Sequence, residues 1–104
     1  MYSRRVLATI DDLREHQEFW RWCVKLSLCA KQLTKTGKPK QLFHCSPGET
    51  MQLWRLLESI RKNGYCPREG DEIMVRADMR PVSGTHRASV LAALNQPVPA
   101  LVIE

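Results

Sequence analysis

The residues best suited to chemistry are Gly84, Thr85, His86 and Arg87, which stand directly before an Ala- and Leu-rich stretch. Gly84 permits a tight turn. The stretch after it is typical of a helix, whose first-turn N–H groups and dipole attract an anion. Arg87 adds a charge-assisted fork for a phosphate, and His86 adds a second donor. The pattern predicts a phosphate site; the alternative is a helix start capped by Thr85 or Ser83.

Glu49 is the best candidate for a catalytic carboxylate. A carboxylate can serve as a general base, which a serine hydroxyl cannot do at neutral pH. The alternative is structural, because Ser46, Pro47 and Glu49 have the spacing of an N-cap, an N1 proline and an N3 acid. Both interpretations place Glu49 in the first turn of a helix.

The positive charge of the chain is unevenly distributed. The net charge is +5, and residues 1–48 carry all of the excess, with nine Lys and Arg against four Asp and Glu. Lys35, Lys38 and Lys40 lie in a loop-like segment with Thr, Gly and Pro. This asymmetry predicts contact with nucleic acid through these three lysines, and the alternative is a solvated linker.

Several protein classes are excluded by the sequence. No apolar run approaches 18 residues, so no membrane partner is expected. The apolar stretch near residue 6 breaks at two aspartates and does not resemble a secretory signal. No C-x-x-C pair occurs, so no metal site is expected, and the cysteines are predicted to be buried thiols in a reducing cytoplasm: Cys23, Cys29, Cys45 and Cys66.

The first third of the chain predicts one long amphipathic helix. Residues 5–10 fit either a strand or the approach to a helix. Asp11 or Asp12 is a suitable N-cap, with Glu15 in capping-box position, and the helix is predicted to continue to about Leu33. Its apolar face packs on the domain or forms a homodimer surface that includes Trp20 and Trp22.

The remaining two thirds of the chain alternate between strand and helix patterns, which predicts an α+β fold with a small mixed sheet. Gly64 is the expected glycine after the second helix, and Pro99 argues for an edge position or a strand start. The predicted elements are a strand at 41–45, a helix at 47–63, strands at 72–77 and 82–83, a short helix at 88–94 and a last strand at 98–103.

From Leu42 to Ile103, this order of elements resembles the ParB/sulfiredoxin superfamily. The resemblance rests on the Gly-x-His-Arg turn at residues 84–87, the Ile60–Gly64 spacing before it and the closing Val98-Pro99. It implies a ParB/sulfiredoxin-like domain at 41–104 and a helical extension with a basic loop at 1–40. It also implies that residues 84–87 contact the phosphates of a nucleotide such as ATP, ADP or CTP, with Mg²⁺.

Departures from the family pattern narrow the expected activity. Sulfiredoxins have a nucleophilic Cys where this chain has Thr85, so their thiol chemistry is not expected. Partitioning ParB proteins usually have Gly-Glu-Arg-Arg and a DNA-binding domain after the last strand, whereas this sequence stops at Glu104. The turn at residues 84–87 is most similar to that of the branch with Asp-Gly-x-His-Arg, which includes free-serine kinases. In this chain Ser83 stands where that branch has Asp. A regulatory nucleotide-binding module is therefore expected, with a nucleic-acid-binding or nuclease-type protein or a small-molecule kinase as alternatives.

Overall fold

A computed structural model describes residues 7–36, 45–66 and 72–103 of the 104-residue chain. These parts form an α+β fold of four helices and one mixed four-stranded sheet, as expected from the sequence. The elements in chain order are β1 Leu7–Ile10, α1 Gln17–Trp22, α2 Val24–Thr36, α3 Pro47–Asn63, β2 Met74–Arg76, β3 Pro81–Ser83, α4 Thr85–Ala93 and β4 Ala100–Ile103.

The sheet has the strand order β1-β4-β2-β3. β4 pairs antiparallel with β1, where Leu7 faces Ile103, and parallel with β2, where Met74 faces Leu101. The hairpin of β2 and β3 is antiparallel and has an irregularity at Met74 and Val75. β4 is therefore an interior strand, and Pro99 marks its start, which is one of the two positions expected for a proline without an N–H.

The predicted long helix from Asp12 to Leu33 is wrong in its first part. The Asp12 carboxylate accepts a hydrogen bond from the backbone N–H of Arg14 at 2.8 Å, which forms a local turn and not a helix cap. The helix begins only at Gln17, with His16 as N-cap, and it is interrupted at Cys23 before α2 starts. A local side-chain bond competing with the helix explains the error, because Asp serves turns and caps equally well.

The predicted ends of α3 are confirmed. Ser46 is the N-cap, and its hydroxyl accepts from the Glu49 N–H at 3.2 Å, with Pro47 at N1. The Thr50 hydroxyl donates to the Ser46 carbonyl at 3.0 Å. Gly64 ends the helix with φ of 77°, a conformation that favours glycine. The start of α3 is thus fixed by hydrogen bonds of its own first turn.

One hydrophobic core joins the helices to the sheet. α2 packs against α3 and α4, and α3 packs against α4. Leu13 is fully buried, and its N–H donates to the Val98 carbonyl at 2.8 Å, so the segment before α1 is attached to the segment before β4. The largest fully buried side chains are Phe19, Leu13, Leu33, Leu53, Leu57, Ile73 and Leu91.

The prediction of four buried thiols is wrong for three of the four cysteines. Cys29 of α2 and Cys45, which precedes the N-cap of α3, form a disulfide. Cys23 remains a buried thiol as predicted, whereas the thiol of Cys66 is exposed. Cys23, at the break between α1 and α2, and Cys29 both lie in the core. Sequence spacing alone does not reveal that residues 29 and 45 meet.

Other predictions fall where the structure is not described. The strand at 41–45 lies outside the described residues except for Cys45, which is in a bend. The domain boundary at residue 40 also lies outside them and stays a prediction. Within the described ranges, no helix combines the length and the apolar character needed to cross a bilayer.

Candidate functional site

The turn before α4 is shaped by Gly84, which has φ of 82° and ψ of 18°. This left-handed conformation is open to glycine at little cost. Glycine is also required by space, because a Cβ at this position would lie 2.7 Å from the Cα of Ile73. The turn therefore packs directly against the backbone of Ile73, just before β2, and this contact fixes where α4 begins.

The alternative prediction for this turn was a helix start capped by Thr85 or Ser83, but neither side chain caps α4. Gly84 is the N-cap, and no side chain of the described residues bonds to the helix start there. The Ser83 hydroxyl donates instead to the Glu72 carbonyl at 3.3 Å. The first ladder bond runs from Ala88 N–H to the Gly84 carbonyl at 2.9 Å, so the N–H groups of 85–87 precede the ladder.

A cleft of about 720 Å³ opens between the first three turns of α3 and the start of α4. Three of the four residues predicted for the phosphate site line it: Gly84, His86 and Arg87. Arg55 of α3 lies on the facing wall, so two guanidinium groups border one cleft. The remaining lining residues come from α3 and are Gly48, Met51, Gln52 and Leu56. A cavity of this size is within the range that holds small molecules.

His86 lines the cleft, and its surroundings in the fold shift the pKa of its imidazole. Burial lowers its pKa, the charge of Arg87 lowers it further, and the nearby Glu49 carboxylate opposes both by raising it. Its Nε2 atom is inaccessible to solvent and has no hydrogen-bond partner among the described residues. The neutral imidazole is therefore favoured until an anion or a proton acceptor reaches the ring.

Glu49 stands in the same part of the molecule as the turn. Its N–H is used in the cap of α3, whereas its carboxylate is close enough to affect the pKa of His86. The two interpretations of Glu49 are therefore compatible, because the backbone caps the helix and the side chain acts on the cleft.

Of the three lysines predicted to contact nucleic acid, the structure describes only Lys35, which is not brought together with the turn. Lys35 lies exposed in the last turn of α2 and does not line the cleft, and Lys38 and Lys40 lie outside the described residues. Arg55 is a cleft residue that the sequence analysis missed. Its position two residues after the buried Leu53 of a predicted amphipathic helix was the available signal, but only the packing of α3 on α4 shows which wall it occupies.

The described residues contain no cluster of three or more His, Cys, Asp or Glu side chains that would hold a metal ion alone. Mg²⁺ is commonly held by one or two carboxylates together with phosphate oxygens, and the lining residues of the cleft in the described parts of the chain include no carboxylate. No family model, curated protein or solved structure matches this chain.

Proposed function

We propose that the cleft between α3 and α4 binds the phosphate groups of a nucleotide, and that the chain is a regulatory nucleotide-binding module of the ParB/sulfiredoxin-like type. The observation that carries the proposal is the shared cleft of Gly84, Arg87 and Arg55. It combines a helix start without a side-chain cap with two guanidinium groups, which are the parts that recur in phosphate recognition.

The electrostatics of the cleft support an anion as its ligand. Arg55 and Arg87 border it, and no acidic residue is among its lining residues in the described parts of the chain. His86 can become a cationic donor when an anion is present, because a nearby negative charge favours its protonated form.

The test is equilibrium binding of ATP, ADP, CTP and GTP with Mg²⁺ to the wild type and to Arg87→Ala and Arg55→Ala. Each variant removes a charge-assisted contact of about 1.5–3 kcal/mol, so we expect affinity to fall about 10-fold or more. Arg61→Ala is the matched control, since Arg61 is exposed on the same helix but does not line the cleft. Equal effects of Arg55→Ala and Arg61→Ala, or no binding of any nucleotide, would reject the proposal.

Phosphate transfer is the second candidate function, and the position of Glu49 favours it. Its charge raises the pKa of His86, which lines the cleft, and a carboxylate can serve as the general base for a substrate hydroxyl. If the chain is a small-molecule kinase, Glu49→Gln should abolish substrate-dependent release of ADP or AMP and leave nucleotide binding intact. A variant that loses only thermal stability would assign Glu49 to helix capping alone.

Binding of nucleic acid through Lys35, Lys38 and Lys40 is a separate alternative, which could include nuclease activity. Binding driven by backbone phosphates weakens steeply as salt is added, because counterions are released. A steep salt dependence with DNA or RNA that is unaffected by Arg55→Ala would place the partner on the lysine segment and not in the cleft.

A further inference from the structure

A second concavity, which we call the α2 groove, lies away from the cleft and has a volume of about 380 Å³. Its walls are the indole of Trp20, two aliphatic residues of α2 and Ala92 of α4. The aliphatic residues, Val24 and Leu28, are 53% and 43% exposed, which is high for side chains of this kind. They are one helical turn apart and form a continuous apolar strip along the groove.

Contacts with buried residues hold the Trp20 side chain, which forms one wall of the groove, in place. The indole N–H of Trp20 donates to the Leu13 carbonyl at 2.8 Å, and the ring of Phe19 packs against Trp20 with centroids 4.9 Å apart. Phe19 and Leu13 are both fully buried. The indole therefore presents one fixed face, and a ligand that packs on it does not have to order the side chain first.

The polar groups of the groove are cationic or neutral. Arg14 and Lys31 line it together with Ser27, and no acidic residue is among its lining residues in the described parts of the chain. The Ser27 Oγ is inaccessible to solvent and has no hydrogen-bond partner among the described residues, so the two cations are the polar groups that a ligand in the groove can reach. An apolar strip beside two cations is complementary to a ligand with an apolar body and one anionic head.

From this arrangement we propose that the α2 groove binds a small amphipathic carboxylate, with its aliphatic or aryl body on Trp20, Val24 and Leu28 and its carboxylate at Arg14 and Lys31. A second copy of the chain is a poorer occupant. α2 carries three lysines and no acidic residue, so a symmetric dimer through this helix would bring like charges together. This site is independent of the nucleotide cleft.

The probe is octanoate, titrated into the isotopically labelled full chain and followed by backbone amide NMR shifts. We expect saturable shifts at the groove with a dissociation constant of about 1 mM or below, a reasonable value for a ligand of this size. Octanamide has the same body without the charge, and it should bind about 10-fold more weakly. Equal binding of octanoate and octanamide would overturn the proposal, as would octanoate shifts confined to the cleft.

Two substitutions on the same helix give the matched comparison. Lys31→Glu reverses a charge at the groove, whereas Lys35→Glu makes the same change one turn further along, at an exposed residue that does not line it. Octanoate affinity should fall about 10-fold or more in Lys31→Glu and less than about 2-fold in Lys35→Glu. Equal losses would reduce the effect to overall charge and reject the site.

Two further measurements distinguish octanoate binding in the groove from binding in the cleft and from dimerisation. Arg55→Ala should leave octanoate binding unchanged, because Arg55 lies in the cleft and not in the groove. Sedimentation should show a monomer with and without octanoate. Concentration-dependent dimerisation that Leu28→Lys abolishes, or binding of an acidic helical peptide at the groove where octanoate fails, would reassign this face to a protein partner.

Discussion

Gly84 lies so close to Ile73 that a β-carbon on the glycine would be 2.7 Å from the Ile73 Cα and 3.0 Å from its Cγ1. Real Cβ atoms do not approach backbone this closely, so one of the two segments would have to move. Ile73 is itself fully buried and its carbonyl accepts from Leu101 N–H at 2.8 Å, which holds it against β4. The turn before α4 is therefore positioned by the sheet.

Gly84→Ala should destabilise the fold by about 2 kcal/mol or more, because a left-handed conformation and a steric overlap are added together. The measurement is the free energy of unfolding in urea. Gly64→Ala separates the two causes, since Gly64 also has positive φ but a Cβ on it would have nothing within 4 Å. It should cost about 1–3 kcal/mol from backbone strain alone.

Gly48→Ala is the control for both glycine variants. Gly48 is in the first turn of α3, and a Cβ there would meet nothing within 4 Å. Replacing a helical glycine with alanine is expected to stabilise the protein by about 0.5–1 kcal/mol. If Gly84→Ala is as well tolerated as Gly48→Ala, the close approach to Ile73 is wrong.

Stability should depend on pH through His86. Its pKa is lowered in the fold by burial, so the unfolded chain binds more protons at pH values between the lowered pKa and about 6.5. The contribution to stability is fully present above about pH 6.5 and is lost as pH falls through the folded pKa. His86→Gln should remove this component, seen as a smaller loss of unfolding free energy between about pH 8 and about pH 5.5 than in wild type.

Anion binding should have the opposite dependence on pH. An anion in the cleft favours the imidazolium of His86, so sulfate should bind more tightly near pH 5.5 than near pH 8. Sulfate is chosen because its own charge does not change over this range, and calorimetry gives the affinity directly. Identical pH profiles for wild type and His86→Gln would show that His86 takes no part in holding the anion.

Loss of the Cys29–Cys45 disulfide should lower the free energy of unfolding by about 3 kcal/mol, as expected for a closed loop of about 16 residues. Cys29→Ala with Cys45→Ala is compared with wild type under oxidising conditions. Cys66→Ser is the control, because this exposed thiol is not in the disulfide. Equal stability of wild type with and without a reducing agent would mean that the bond does not form in solution.

Native thiol labelling should distinguish the two remaining cysteines. Burial raises the pKa of the Cys23 thiol to about 11, so its reactive thiolate is scarce at neutral pH and its access is blocked. Cys66 is exposed and should react with iodoacetamide first. Mass spectrometry of the intact, unreduced protein should show one fast label, and a second only after unfolding. Rapid modification of Cys23 would contradict its placement in the core.

The parts that the sequence predicted well are those whose signals are local. Ser46, Pro47 and Gly64 define α3 because caps act within one turn of the helix. The turn at Gly84 was also predicted, since glycine before an Ala-rich stretch has few other uses. The start of α1 was misplaced because Asp12 satisfies a turn as well as a cap.

The parts that could not be predicted depend on contacts between distant segments. Arg55 joins the cleft only because α3 packs against α4, and Cys29 meets Cys45 only because α2 packs beside the start of α3. The interior position of β4 is of the same kind, since strand order is not readable from alternation. Periodicity indicates which face of an element is apolar, but it does not say which element will cover it.

The interior position of β4 has a consequence for biosynthesis. β1 and β2 do not pair with each other: among the described residues β1 pairs only with β4, with Leu7 opposite Ile103, whereas β2 pairs with both β4 and β3. During synthesis, β1 therefore cannot pair with β4 until residues 100–103 have left the ribosome. Its backbone groups lack their strand partner until then. Pairing across so many residues is slow compared with helix formation. A ribosome that pauses before residue 100 would hold a nascent chain with helices but no complete sheet, a form that chaperones recognise.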